Sequence, residues 1–194
     1  TTDDDVPAFK LTQTDGNTTV ADNGSTDTFS VVLSIQPMSD VVLTVTSADA
    51  TKATVDRSSV TFTPSNWNLP QTVTVTGVVD RLINSTRNIA VTVAVNAAAS
   101  DDDFDKLASQ SVNVAVTSDD VAGFTVSQTS GSTRVTEAGS TDSFSVVLNA
   151  QPTSNVVLSI GNPDSTEVSV DRTSLTFTPS NWNVPQTVAV TGVD

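Results

Sequence analysis

The chain has 194 residues, room for one large domain or two small ones, and no stretch near the ~18 apolar residues of a membrane helix. Its 22 acidic against 8 basic residues leave a net charge of −14, the opposite of a phosphate-binding surface, so nucleic acid is excluded as a partner. The lack of cysteine excludes disulfides, zinc thiolates and thiol catalysis, and the lack of histidine removes the commonest general base and transition-metal ligand.

Along the chain, period-two alternation dominates and helical periodicity is missing. Residues 9–11 and 18–20 read as edge segments. Phe29, Val31, Leu33 and Ile35 then alternate with Ser30, Val32 and Ser34. Residues 41–45, 60–63, 73–75, 89–95 and 112–116 repeat the pattern, with Thr and Ser at the alternate positions expected of half-buried strands. Counted with the two edge segments as one broken strand, this makes seven strands separated by turn residues. The fold class is all-β: antiparallel, immunoglobulin-like β-sandwiches in tandem. The expected core is Phe9, Phe29, Val31, Leu33, Leu43, Phe62, Val73, Val75, Val91, Val93 and Val114.

A repeat fixes the organisation. Phe62-Thr63-Pro64-Ser65-Asn66-Trp67-Asn68 returns as Phe177-Thr178-Pro179-Ser180-Asn181-Trp182-Asn183, an offset of 177 − 62 = 115. The same offset carries Asp4-Asp5-Val6 onto Asp119-Asp120-Val121 and Gly24-Ser25-Thr26-Asp27 onto Gly139-Ser140-Thr141-Asp142. Between Asp4 and Val78, 46 of 75 positions are identical to their partners, the mark of a tandem duplication. Residues 1–118 are expected to form a complete seven-stranded sandwich. Residues 119–194 are expected to form a second copy lacking its last two strands, either continued by further strands or completed by another chain.

All acidic residues but Glu137 and Glu167 are aspartates. Aspartate suits turns and the oxygen coordination of hard cations. If strands run alternately up and down, one pole of the first copy gathers Asp22, Asp49 and Asp80, with Asp119 and Asp120 leaving the last strand. The opposite pole sets Asp3, Asp4 and Asp5 against a loop carrying Asp101, Asp103 and Asp105. The second copy repeats the first pole with Glu137, Asp164 and Asp194. Two carboxylates ~4 Å apart repel by about 4 kcal/mol at an effective dielectric near 20, a cost that a cation relieves. Calcium, with six to eight oxygen ligands, is the expected ion, and magnesium fits flexible Asp loops less well. Any single one of these aspartates also has a plainer reading as a solvated turn former. Asp27, Asp142, Asp56 and Asp171 are read as turn or edge residues.

The string Val135-Thr136-Glu137-Ala138-Gly139, with Phe144-Ser145-Val146-Val147-Leu148 after it, resembles the opening of Calx-beta modules. Ser174-Leu175-Thr176-Phe177-Thr178-Pro179 leading into Gln186-Thr187-Val188-Ala189-Val190 resembles them too. The resemblance runs over nearly the whole of both copies. It implies tandem calcium-binding sandwiches such as those of large secreted bacterial adhesins, with ligands at Asp22, Asp80, Asp119 and Asp120, then Glu137 and Asp194. This sequence keeps one acid in the segment 78–84 and sets Arg81 beside it, where a salt bridge can stand in for a cation.

Trp67 and Trp182, each in a Pro-Ser-Asn-Trp-Asn turn, read as turn plugs in preference to sugar platforms, and aromatics are only 5% of the chain. No nucleotide loop, nucleophile elbow or zinc signature occurs. The functional expectation is a non-enzymatic extender repeat of an extracellular, cell-surface adhesin, stiffened by Ca2+ at its junctions. Its partners are neighbouring repeats or identical subunits, with no membrane insertion. The alternatives are a filament subunit completed by strands from a neighbour and a carbohydrate-binding module.

Overall fold

In the computed structural model, residues 6–194 are described, and they contain strands and short 3-10 turns but no α-helix. They fall into two units, residues 6–80 with 84–119 and residues 81–83 with 120–194. The first comprises nine strands: β1 (Phe9–Gln13), β2 (Thr18–Ala21), β3 (Thr26–Leu33), β4 (Val41–Ser47), β5 (Ala53–Val55), β6 (Ser59–Phe62), β7 (Gln71–Gly77), β8 (Arg87–Val95) and β9 (Gln110–Thr117). One sheet runs β1-β3-β7-β5 and the other β2-β9-β8-β4-β6. This is an immunoglobulin-like β-sandwich.

The alternation of valine with threonine and serine builds these strands, since β-branched side chains suit a pleated surface with one wet face. β4 and β7 show it in their burial: Val41, Leu43, Val45, Val73 and Val75 point inward and the threonines between them do not. All eleven core residues expected from the sequence are buried. Two details differ from the expected seven strands. The segments 9–11 and 18–20 belong to different sheets: β1 pairs antiparallel with β3, whereas β2 pairs parallel with β9. The crossing occurs at the turn Thr14–Gly16, where Asp15 and Gly16 take φ of 53° and 82°, a conformation open to glycine and tolerated by aspartate. The short β5 also went unforeseen, because three residues carry too little period-two signal.

The second unit holds β10 (Phe124–Gln128), β11 (Thr141–Leu148), β12 (Val156–Ser159), β13 (Val168–Val170), β14 (Ser174–Phe177) and β15 (Gln186–Gly192). Its first sheet, β10-β11-β15-β13, repeats β1-β3-β7-β5 strand for strand. Its second is reduced to β12-β14. Residues 133–136, the counterpart of β2, are not a strand, and β12 stops three residues short of the counterpart of β4's end. Both losses have one cause. β2 pairs with β9, and the far half of β4 pairs with β8, and residues 119–194 include neither counterpart.

Candidate functional site

The acidic pole of the first unit is built by Asp22, which ties three strand ends together. Its N–H donates to Thr117 O at 2.9 Å, extending the β2–β9 ladder by one step, and its C=O accepts the Asp80 N–H at 3.2 Å just after β7. Its side-chain Oδ1 accepts the Asp119 N–H at 3.0 Å after β9. A tight turn holds it there. Ser25 N–H donates to Asn23 Oδ1, Ala21 N–H donates to Ser25 Oγ, and Gly24 takes φ 86°. Asn23 Nδ2 also reaches Asp119 Oδ2 at 3.2 Å. Asp22 is 3% exposed, a rare place for a carboxylate unless its charge is compensated.

Of the expected ligands, Asp22, Asp80 and Asp119 meet at this pole of the first unit, and Asp120 belongs to the second unit. Lys52 Nζ sits 2.8 Å from Asp80 Oδ2, and Asn84 Nδ2 donates to the same carboxylate at 3.3 and 3.4 Å. Arg87 Nη2 in turn donates to Asn84 Oδ1. Arg81 lies 4.0 Å from Asp120 Oδ1. Lys52 is thus a cation beside Asp80, which the sequence reading had not named, and Arg81 stands beside Asp120. Asp22, Lys52, Asp80, Asn84, Ser85 and Arg87 border a cavity of about 10 Å³, room for one water-sized guest. Lys52 and Asn84 were not singled out by sequence reasoning. The one available signal was the exchange of Lys52 for Glu167 between copies.

The other expected ligands lie elsewhere. Asp49 closes the turn after β4: its Oδ1 accepts the Thr51 hydroxyl at 2.6 Å and the Thr51 N–H at 2.9 Å. The hydroxyl, then the amide, hold its carboxyl below the ordinary value. Asp164 makes the same two bonds with Thr166 in the second unit. Glu137 and Glu167 line an open recess of about 560 Å³ with Val135, Thr136, Ala138 and Val168, and Asp194 is exposed. Asp3, Asp4 and Asp5 lie outside the described residues.

Asp101 acts as a clamp between loops. It is 6% exposed, its Oδ2 accepts the N–H groups of Met38 and Ser39 at 2.6 and 2.9 Å, and its Oδ1 accepts the Asp103 N–H at 3.1 Å. Phe104, fully buried beside it, plugs that end of the core. Asp103 is exposed, while Asp105 is half-buried with Oδ1 shielded from solvent and unbonded. Replacing Asp101 by alanine strands three amide donors and is expected to cost ~1–3 kcal/mol in urea unfolding.

The Ser39 N–H, the largest influence, holds the Asp101 carboxyl below its ordinary 3.8. A carboxyl depressed on folding contributes stability above its unfolded pKa and loses it as pH falls through the folded value. The contribution is therefore intact at neutral pH and declines below pH 3.8. An Asp101→Asn chain should show a shallower fall in stability over that acid range, read from urea midpoints at successive pH values.

Trp67 and Trp182 pack partly buried against the first and second cores. Their carbonyls accept the N–H groups of Leu33 and Leu148, which anchors each turn to its sandwich.

No protein-family model matches the sequence, and no curated protein matches it. Among solved structures, the chain is similar to the calcium binding domain CBD12 of CALX1.1, with 14% identity over 95% of this chain and 76% of that one and a TM-score of 0.43. It is similar to the E. coli chaperone DraB, with 11% identity, coverage of 95% and 87%, and a TM-score of 0.42. It is also similar to domains 4–9 of surface layer protein SbsC, with 17% identity, coverage of 97% and 27%, and a TM-score of 0.37. At these identities no residue of a neighbour is carried over to this chain.

Proposed function

We propose that this chain is a non-enzymatic spacer segment of an extracellular adhesin-type surface protein, in which Ca2+ bound at the Asp22 pole stiffens the passage from one repeat to the next. The observation that carries the reading is the convergence of three aspartates at one pole of the first unit: the Asp22 C=O accepts the Asp80 N–H and its Oδ1 accepts the Asp119 N–H. These are hard oxygen donors on turns, the chemistry calcium takes. Within the first unit the three carboxylates of Asp22, Asp80 and Asp119 outnumber the two cationic side chains nearby, Lys52 and Arg87, so net negative charge remains to attract a cation. Calcium bound there would join the ends of β2, β7 and β9 to the linker. The ion does no chemistry beyond holding those oxygens together. The duplication supports a spacer role, since length in a repeat array comes from copying one unit.

Asp22, Asp80 and Asp119 would hold the ion, and Lys52 competes with it for Asp80. A half-buried ion pair is worth up to ~1 kcal/mol, so Lys52→Gln is expected to tighten calcium about fivefold. In the second repeat Glu167 takes the place of Lys52, and Glu137 that of Asp22. That pole carries no competing lysine.

Calorimetric titration of the whole chain with calcium tests the assignment. Binding in the 10⁻⁴ to 10⁻³ M range of extracellular modules is expected, tightened in Lys52→Gln and weakened in Asp80→Asn. Identical isotherms for all three chains would remove Asp80 and Lys52 from the site and with them the proposal.

A further inference from the structure

The two repeats differ in what their matched residues touch. Phe9 is 3% exposed and its partner Phe124 54%. Val20, Phe29, Val41, Leu43 and Val45 are buried, and their partners Val135, Phe144, Val156, Leu158 and Ile160 are only half-buried. In the first repeat those residues are covered by β8 and β9. β9 runs parallel to β2 from Thr18↔Val114 to Ala21↔Thr117, and β8 runs antiparallel to β4 from Leu43↔Val95 to Ser47↔Val91. The pair inserts Val91, Val93, Val112, Val114 and Val116 into the core.

We infer that the second repeat binds one occupant, a β-hairpin of the β8–β9 type, between residues 133–136 and β12. Its first strand lies antiparallel to residues 158–162 and its second parallel to residues 133–136. Alternating valines face the half-buried set above. The inference stands on the repeat's own packing and is independent of the cation.

The receiving surface keeps the features the hairpin uses in the first repeat. Val135, Phe144, Val156 and Leu158 are the same residue types as their partners, and Ile160 adds one methylene to Val45. Arg134 N–H and Thr136 N–H are already satisfied by Asp142 Oδ2 and Ser140 Oγ, as Thr19 and Ala21 are by Asp27 and Ser25. The intervening donors, Val135 and Glu137, point along the ladder direction in which Asp22 N–H meets Thr117 O. The hairpin brings its own anchors. Gln110 Nε2 donates to Phe9 O, and Asp101 Oδ2 receives the amides of Met38 and Ser39, whose partners here are Phe124, Thr153 and Ser154. The open recess between residues 135–138 and β13 lies where the second inserted strand ends.

The test appends a second copy of residues 80–118 after Asp194 and follows amide exchange in chelator, so that calcium plays no part. The expected result is protection of the Val135, Glu137 and Gly161 amides by tenfold or more relative to the 194-residue chain, the range opened when a local unit becomes part of a cooperative sheet. The Ile160 N–H, already bonded to Thr173 O, serves as the internal reference. A control copy carries asparagine at the positions of Val91, Val93, Val112 and Val114. As a second measurement, a synthetic peptide of residues 84–118 is titrated into the labelled 194-residue chain. Equal exchange with the valine and asparagine copies, together with no peptide effect, would overturn the inference. So would protection of those amides in the 194-residue chain alone through its own dimerisation, which would make a second whole copy the occupant.

Discussion

Replacing Phe29 by alanine is expected to destabilise the first unit by ~3–5 kcal/mol, and replacing Phe144 to destabilise the second by only ~1–2 kcal/mol, although the two residues occupy one position of the repeat. Phe29 is 1% exposed and ringed by strands of both sheets. Truncating it leaves a cavity that neighbours held in paired strands cannot collapse into. Phe144 packs against the small cluster of Val146, Leu148, Leu175, Phe177 and Val188 and stays partly wet. It has less transfer free energy to lose and a looser surround. The two units can be followed separately, since Trp67 belongs to the first cluster and Trp182 to the second. Urea unfolding by fluorescence in Trp182→Phe and Trp67→Phe backgrounds gives each unit's midpoint. Equal costs at both positions would mean that the second unit packs as tightly as the first.

A second pair of matched substitutions should differ for the same reason. A Cβ on Gly77 would lie 2.0 Å from the backbone oxygen of Ala21, and a Cβ on Gly192 would lie 2.0 Å from that of Thr136. Neither contact is possible without moving the chain. In the first unit Ala21 is fixed by pairing with Thr117, and Asp22 follows it directly. Gly77→Ala is therefore expected to cost ~3 kcal/mol, the upper end of overpacking, and to displace Asp22 so that calcium binding is lost along with stability. In the second unit residues 133–136 pair with no strand and are held only through the side chains of Asp142 and Ser140, so the segment can yield. Gly192→Ala is expected to cost under ~1 kcal/mol. Urea midpoints and a calcium titration of the two variants check both statements.

The sandwich was legible because its signal is long-range and redundant. Valine at every second position places Leu43, Val73 and Val91 inward whatever the neighbouring strand, and the 115-residue offset marks the unit. What escaped is what depends on contact between distant segments. Nothing in residues 9–20 says that β1 and β2 part to different sheets, since that follows from a two-residue turn of positive φ. Phe104 lies in an acid-rich loop that reads as solvated, yet it is buried because Asp101 folds the loop over it. At the acidic pole, strand direction brought Asp22, Asp80 and the Asp119-Asp120 linker to one end. It could not separate Asp49, whose Oδ1 is taken by Thr51, nor foresee that Lys52, 28 residues before Asp80, would reach it. Side-chain reach across a loop cluster is a property of the folded backbone, and a strand diagram holds no trace of it.

The central claim is that calcium binds at the pole of the first unit formed by Asp22, Asp80 and Asp119. It is tested most directly by thermal unfolding of the whole chain after exhaustive chelation, then with millimolar calcium, with magnesium as control. At tenfold saturation one site adds ~1.4 kcal/mol, several degrees for a unit of this size. The account predicts that rise with calcium, a smaller one with magnesium, and none from this pole in Asp22→Asn. An identical melting temperature in chelator and in calcium would contradict it, and the aspartates would then be turn formers of a sandwich that needs no ion.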